Sequence, residues 1–238
     1  MRRNSVKELM CDLLFPRRCP ICDEAVRFRK EDICPSCLRK IKFVGERTCM
    51  KCGKELQEET EYCFDCRNKK HLYLQGMAVF EYSSIAGAIY RFKYGGRQEY
   101  ADFFGRCMAA KLKNQWKAWR VQALIPVPIH PSRKRKRGYN QAQLLAEVIS
   151  SFTGIPICND LIVRSKKTVA QKELDEGQRQ NNLKKAFKIL KNDVKLDTIV
   201  IIDDIYTTGS TIDAMTSVLH ETGIRKVYYA ALAIGKGL

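Results

Sequence analysis

Beyond residue 75 the chain alternates short apolar runs with longer stretches whose apolar residues recur at helical spacing. "MAVFEYS", "ALIPVPI", "IPICNDLIVR", "TIVIID" and "KVYYAALAIG" have strand length and are rich in β-branched or aromatic residues. "YADFFGRCMAAKLKNQW" and "NQAQLLAEVISSF" carry the helical period, and "STIDAMTSVLHETG" sets Ile212, Met215, Val218 and Leu219 on one face with Gly223 as its stop. Strands alternating with helices predict an α/β fold, a largely parallel sheet flanked by helices. Ligands of such sheets bind at the carboxyl ends of the strands.

Before residue 76 the periodicity is weak and cysteine replaces it. Four C-x-x-C pairs occur: Cys19/Cys22, Cys34/Cys37, Cys49/Cys52 and Cys63/Cys66. Each pair is a turn bringing two thiolates within reach of one zinc ion, with Zn–S of about 2.3 Å. Gaps of 11 and 10 residues inside the first and last two pairs suggest a ribbon built twice, with two structural zinc ions. Sequential pairing is the choice here, and an interleaved cross-brace is the alternative. A disulfide framework would need a secretory route, and "MRRNSVKELMCDLLFPRRCP" has no signal-peptide pattern. Cys11, Cys107 and Cys158 remain as small hydrophobes. Two domains are expected: 1–75, a double zinc ribbon, and 76–238, an α/β unit.

Charge changes the picture. The chain of 238 residues has a formal net charge of +17. Residues 1–75 hold 17 Lys or Arg against 12 Asp or Glu, and residues 76–238 hold 26 against 14. Two tetrathiolate zinc sites would lower the whole to about +13 and the ribbon segment to about +1. The α/β unit, not the ribbon, is therefore the expected polyanion-binding part. No apolar run approaches the ~18 residues of a membrane span. A cytoplasmic location, at most at the inner face of the membrane, is the expectation. The "LLF" patch, Leu13 to Phe15, either touches a membrane peripherally or packs on the ribbon.

"TIVIIDDIYTTGST", Thr198 to Thr211, carries the candidate chemistry. An apolar strand delivers Asp203 and Asp204 to the rim of the sheet, and the chain then turns through Thr207, Thr208, Gly209, Ser210 and Thr211 into a helix. Free amides at such a turn, aided by the helix dipole, seat an anion. Carboxylates accept hydrogen bonds and sugar hydroxyls donate them, so the acid pair suits a diol beside the anion. The pattern describes a phosphorylated sugar. A nucleotide hydrolase would need G-x-x-x-x-G-K-[ST], which the chain lacks. The plain alternative is a capped helix behind solvated acids.

Two further basic segments stand out. "HPSRKRKRGYN" offers Arg133, Arg135 and Arg137 in a loop at a strand end, for pyrophosphate or a nucleic-acid backbone, or merely as a solvated charge run. "IYRFKYGGRQEYADFF" interleaves Lys93 and Arg97 with Phe92, Tyr94 and Tyr100, a mixture that suits single-stranded nucleic acid. Trp116 and Trp119 read chiefly as a packed helix face, and His71, His130 and His220 as ordinary residues.

"VIIDDIYTTGST" resembles the phosphoribosyl pyrophosphate (PRPP) loop of type I phosphoribosyltransferases. Four cysteine pairs ahead of it, "PVPIHPSRKRKRGYNQ" and "RSKKTVAQKELDEGQRQNNLKKAF" resemble the ComF family of competence proteins over nearly the whole chain. The resemblance implies a type I phosphoribosyltransferase-like domain binding PRPP with Mg²⁺, and a role in handling single-stranded DNA during natural transformation. It implies a pyrophosphate loop at Arg133 to Arg137 and a lid bearing Arg164, Thr168, Gln171, Arg179 and Asn182. It also suggests a helicase-like partner docked by the ribbon. Phosphoribosyl transfer to an acceptor is the alternative function, and no catalytic residue is assigned.

Overall fold

The computed structural model describes residues 16–26, 32–165, 185–190 and 195–235. Thr168, Gln171, Arg179 and Asn182, expected on a lid, and the Leu13 to Phe15 patch lie outside the described residues.

The N-terminal ribbon is a repeat in three dimensions. In each half a cysteine knuckle closes through equivalent bonds, Asp23 N to Cys19 O at 2.9 Å and Gly53 N to Cys49 O at 2.8 Å. Asp23 and Gly53 take the same left-handed conformation, φ +69° and +67°. One antiparallel bridge follows each knuckle, Arg18 with Ala25 and Thr48 with Glu55. A short helix then starts directly after the third cysteine: α1, Pro35–Leu38, after Cys34, and α2, Phe64–Asn68, after Cys63.

The rest is built on β1 (Gly76–Glu81), β2 (Ala123–Pro126), β5 (Thr198–Tyr206) and β6 (Lys226–Ile234). Among the described residues these form one parallel sheet in the order β1-β6-β5-β2. Val200 and Ile202 face one apolar layer and Ile199 and Ile201 the other. A strand covered on both sides reads as a continuous apolar run, and "TIVII" is one. One layer is filled by α3 (Tyr82–Tyr94), α4 (Tyr100–Lys111), α5 (Lys113–Ala118) and α7 (Gln141–Thr153) through Phe92, Phe104, Met108, Trp116 and Leu145. The opposite layer holds α8 (Ser210–His220) and the antiparallel pair β3 (Ile162–Arg164) with β4 (Phe187–Ile189). Cys49, Cys52 and Cys63 of the second ribbon pack in that layer.

Several boundaries differ from the sequence reading. "MAVFEYS" stops as a strand at Glu81, and Tyr82 already begins α3. "YADFFGRCMAAKLKNQW" breaks at Leu112 into α4 and α5. In "IPICNDLIVR" Ile157 makes a single bridge to Leu124, and strand geometry holds for Ile162–Arg164. The expected loop Arg133 to Arg137 is a helix, α6 (Pro131–Arg137). The reason is local: His130 Nδ1 accepts from Ser132 N at 3.2 Å, Pro131 fits the first turn, and Gly138 ends the helix at φ +85°.

Candidate functional site

The four sulfurs of Cys19, Cys22, Cys34 and Cys37 lie within 4.8 Å of one another, as do those of Cys49, Cys52, Cys63 and Cys66. Pairing is therefore sequential. A tetrathiolate with Zn–S of about 2.3 Å has sulfur–sulfur edges of about 3.8 Å. Cys22 and Cys34 stand 3.7 Å apart, and Cys52 and Cys63 3.6 Å. Donor set and spacing fit structural zinc at both sites.

The second candidate site forms where β2 leaves the sheet. β2 pairs with β5 only as far as Pro126 opposite Ile202, whereas β6 continues beside β5 to Tyr206. The next β5 residues, Asp203 and Asp204, thus border an edge that β2 no longer covers. Lys93 in the last turn of α3 reaches Asp204 with Nζ to Oδ1 at 2.9 Å. Burial, and then the neighbouring Asp204 carboxylate, push the Asp203 carboxyl up to about 8, against the pull of Lys93. Arg164 belongs to the same neighbourhood. Burial and then Arg133 lower its pKa, and Asp203 opposes them. Lys93 and Arg164 thus lie beside the acid pair, and Arg133 acts on Arg164.

Beyond Tyr206 the turn runs through exposed Thr207 and Thr208 to buried Gly209. Gly209 has φ +75° and is the N-cap of α8, and no side chain among the described residues caps that helix. Thr208 Oγ1 and Ser210 Oγ lie 3.0 Å apart. First-turn amides, two hydroxyls and a helix dipole thus follow the acids within one short turn of chain. A Cβ on residue 209 would come within 2.7 Å of Tyr206 Oη and 2.8 Å of His71 Cε1.

His71, read as ordinary in the sequence, is buried against this turn. Its Nδ1–H donates to Asp213 Oδ2 at 2.8 Å, and Leu72 N donates to Asp213 Oδ1 at 2.9 Å. Asp213 also lacked a sequence signal. Its helical position looks solvent-facing until the ribbon-to-sheet connection is laid over it.

The basic and aromatic candidates divide. Arg133 and Arg135 are exposed on α6. Arg137 is half-buried, donates to Gln141 Oε1 at 2.8 Å and stacks 4.8 Å from the Tyr94 ring centroid. Arg97 is held by Asp23 of the first ribbon at 2.9 Å and by Glu99 at 3.6 Å. Of the aromatic residues singled out on α3 and α4, Phe92 and Tyr100 are buried and cannot meet a ligand, whereas Tyr94 is 59% exposed. Tyr90, one turn earlier, is 64% exposed with its ring centroid 5.1 Å from that of Tyr94. The i, i+4 spacing of the two tyrosines was the available signal. Trp116 and Trp119 are both buried, and Trp119 stacks on Tyr228 at 4.6 Å. No helix among the described residues is long and apolar enough to cross a membrane.

Comparison with known proteins agrees with this architecture. Residues 10–67 match the double zinc ribbon domain family. Competence protein F of Haemophilus influenzae is 29% identical over 187 residues, covering 76% of this chain and 82% of that protein. The DNA utilization protein YhgH of Escherichia coli is 27% identical, with 69% and 74% covered. Competence protein ComFC of Bacillus subtilis is 28% identical, with 68% and 67% covered. A purine phosphoribosyltransferase from Pyrococcus horikoshii superposes with a TM-score of 0.35 and 18% identity over 56% of this chain and 73% of that one. At that score the overlap is partial, and the fold assignment rests on strand order and register. A double zinc ribbon ahead of a parallel α/β sheet, with similarity to competence and DNA utilization proteins along two thirds or more of the chain, agrees with the resemblance to the ComF family.

Proposed function

We propose that the protein supports DNA uptake in natural transformation, binding single-stranded DNA on its basic face and a PRPP-type sugar phosphate at the β5–α8 turn. One observation carries the sugar-phosphate reading: an acid pair, on the part of β5 that β2 no longer pairs with, runs through a short turn into a helix N-terminus without a side-chain cap. In this reading Asp203 and Asp204 accept from the ribose diol, and Thr207, Thr208, Gly209, Ser210 and Thr211 hold the 5′-phosphate. Mg²⁺ would accompany the pyrophosphate. Lys93, Arg133 and Arg164 would neutralise it. Equilibrium dialysis with labelled PRPP and Mg²⁺ tests the reading. Retention above a bovine albumin control supports it, and none rejects it.

DNA does not fit the same seat, because deoxyribose lacks the 2′-hydroxyl of the diol. A strand belongs outside it. Tyr90 and Tyr94 form an exposed aromatic pair beside α6, which supplies Arg133, Lys134, Arg135 and Lys136 at the surface. Bases stacked on tyrosine with phosphates on arginine is a common mode of single-strand binding. The names of the relatives, competence and DNA utilization, favour the same ligand. Fluorescence anisotropy with a labelled oligonucleotide tests it. Single-strand affinity should fall steeply with salt, and Arg133→Ala/Arg135→Ala/Arg137→Ala should reduce the log–log slope by about 2, at roughly 0.7 per phosphate. Tyr90→Ala/Tyr94→Ala should weaken binding and leave the slope intact. A slope unchanged by the arginine substitutions rejects this surface.

The second reading is phosphoribosyl transfer from PRPP to an acceptor, with positioning and charge neutralisation carrying the rate. The two cations that act on Asp203, Lys93 and Arg164, favour it. Pyrophosphate release measured against a panel of acceptors decides it. A helicase-like partner would dock on the ribbon, and loss of its capture on removing residues 1–70 of the chain is the corresponding test.

A further inference from the structure

A continuous buried chain of side chains joins the second tetracysteine site to the candidate anion-binding turn. The Tyr229 hydroxyl donates to the carbonyl of Cys52, one of the four sulfur-bearing residues, at 2.5 Å. The Tyr229 ring stacks on Tyr206, 4.6 Å between centroids and 3° from parallel. Tyr206 Oη lies 2.7 Å from Tyr73 Oη, and the Tyr73 ring stacks on His71 at 4.9 Å. His71 grips Asp213 at 2.8 Å, and Asp213 N donates to Gly209 O at 2.8 Å. Each of these groups is buried. Two glycines allow the close fit. A Cβ on Gly76 would lie 1.7 Å from a Tyr229 ring atom, and one on Gly209 would strike Tyr206 and His71. Burial holds the phenols of Tyr73, Tyr206 and Tyr229 far above the usual tyrosine range, so all three stay neutral donors and acceptors.

Ordinary packing has no need of this arrangement. Tyrosine hydroxyls are costly to bury unless paired, and here each is paired along one line from ribbon to turn. The line ends on Asp213, in the first turn of α8, where it fixes the amides that would meet a phosphate. The first ribbon is attached elsewhere. Asp23 bonds Arg97 and Tyr100, Asp32 bonds Arg106, and the Ile21 carbonyl accepts from Arg91, all on α3, α4 or the segment between them. The two ribbons therefore have different neighbours and, by this account, different jobs.

We infer that the second zinc ribbon is the positioning scaffold of the anion-binding turn, so that zinc at Cys49, Cys52, Cys63 and Cys66 and a phosphorylated sugar at Thr207 to Thr211 bind cooperatively. Tyr229, Tyr206, Tyr73, His71 and Asp213 are its positioning residues, and none of them touches the ligand. The inference rests on the sugar-phosphate reading of the turn. Coupling between two sites is reciprocal: if zinc strengthens sugar-phosphate binding, the sugar phosphate strengthens zinc binding by the same factor.

Reciprocity supplies a readout other than activity. Zinc release from the full chain to a chromogenic chelator is followed with and without PRPP and Mg²⁺, and the phase belonging to the first ribbon is assigned with Cys22→Ser. The ligand should slow release from the second ribbon by about 5- to 150-fold, the usual span of such couplings, and leave the first unchanged. Tyr229→Phe removes one hydroxyl and keeps the ring, and Asp213→Asn keeps the shape and removes one acceptor. Each should shrink the effect and weaken PRPP binding while both zinc ions remain bound. Equal slowing at both ribbons that survives these substitutions would mean general stabilisation and overturn the inference. So would PRPP binding with no change in either release rate, and the sugar-phosphate reading would then still stand. Absence of PRPP binding to the zinc-loaded chain would overturn both.

Discussion

Replacing Gly209 by alanine perturbs the turn at its tightest point. The residue sits at φ +75°. An L-residue in that conformation costs roughly 1–2 kcal/mol. The new Cβ would also lie 2.7 Å from Tyr206 Oη and 2.8 Å from His71 Cε1. Both neighbours are buried and hydrogen-bonded, so neither yields freely. Overpacking of this kind costs about 1–3 kcal/mol. Together, Gly209→Ala should destabilise the fold by about 2–5 kcal/mol. Gly223 supplies an internal control, with φ +88° and open space within 4 Å of the position a methyl group would take. Gly223→Ala should therefore cost the backbone strain alone, about 1–2 kcal/mol. Urea unfolding of both variants reads the difference, and PRPP titration reads its consequence. Affinity should fall about tenfold or more for Gly209→Ala and stay unchanged for Gly223→Ala. Equal stability losses with unaltered PRPP affinity would refute the close approach and the coupling of turn to ligand.

Other outcomes follow from the same geometry. The Asp203 carboxyl has its pKa raised to about 8 in the folded chain, chiefly by burial. A carboxyl raised on folding contributes stability below its unfolded value of about 4 and loses that contribution as pH climbs towards its folded value. The unliganded protein should thus lose stability between about pH 4 and 8, and Asp203→Asn should flatten the decline. A diol needs ionised acceptors, so PRPP affinity should rise over the upper part of that window, and a flat profile from about pH 6 to 9 would contradict this. Lys93→Met removes the cation 2.9 Å from Asp204, so the rise in affinity should move to higher pH, and an unmoved midpoint would show that Lys93 does not govern the pair. Trp119→Ala empties a buried stack and should cost about 3–5 kcal/mol without altering the salt slope of DNA binding, whereas a reduced slope would return this tryptophan to the nucleic-acid surface.

How much of this was legible beforehand depends on the range of the interactions. The zinc ribbons were, because four cysteine pairs at near-equal gaps encode their ligand sets locally. The sheet was too, because "TIVII" and "KVYYAALAI" record burial on both faces. The acid pair and glycine turn stood in one short stretch, whereas their place beside an edge that β2 leaves uncovered needed the pairing register of β2 and β6 on β5. What failed depended on distant partners. Nothing near Phe92 says that Phe104 and Tyr139 pack on it, and nothing near Arg97 or Tyr100 announces Asp23. The helix at Pro131 was in fact encoded, by a proline after a capping histidine, but five consecutive cations drew attention to charge instead. His71 and Asp213 meet across 142 residues, and no local pattern could join them.

The most direct test of the central claim is calorimetry of the zinc-loaded chain with PRPP and Mg²⁺, beside Asp203→Asn/Asp204→Asn. Saturable binding to one site in the native protein, weakened at least tenfold in the variant with both zinc ions retained, is the predicted result. Equal heats from the two proteins, or none from either, would contradict a ribose held by Asp203 and Asp204 of β5.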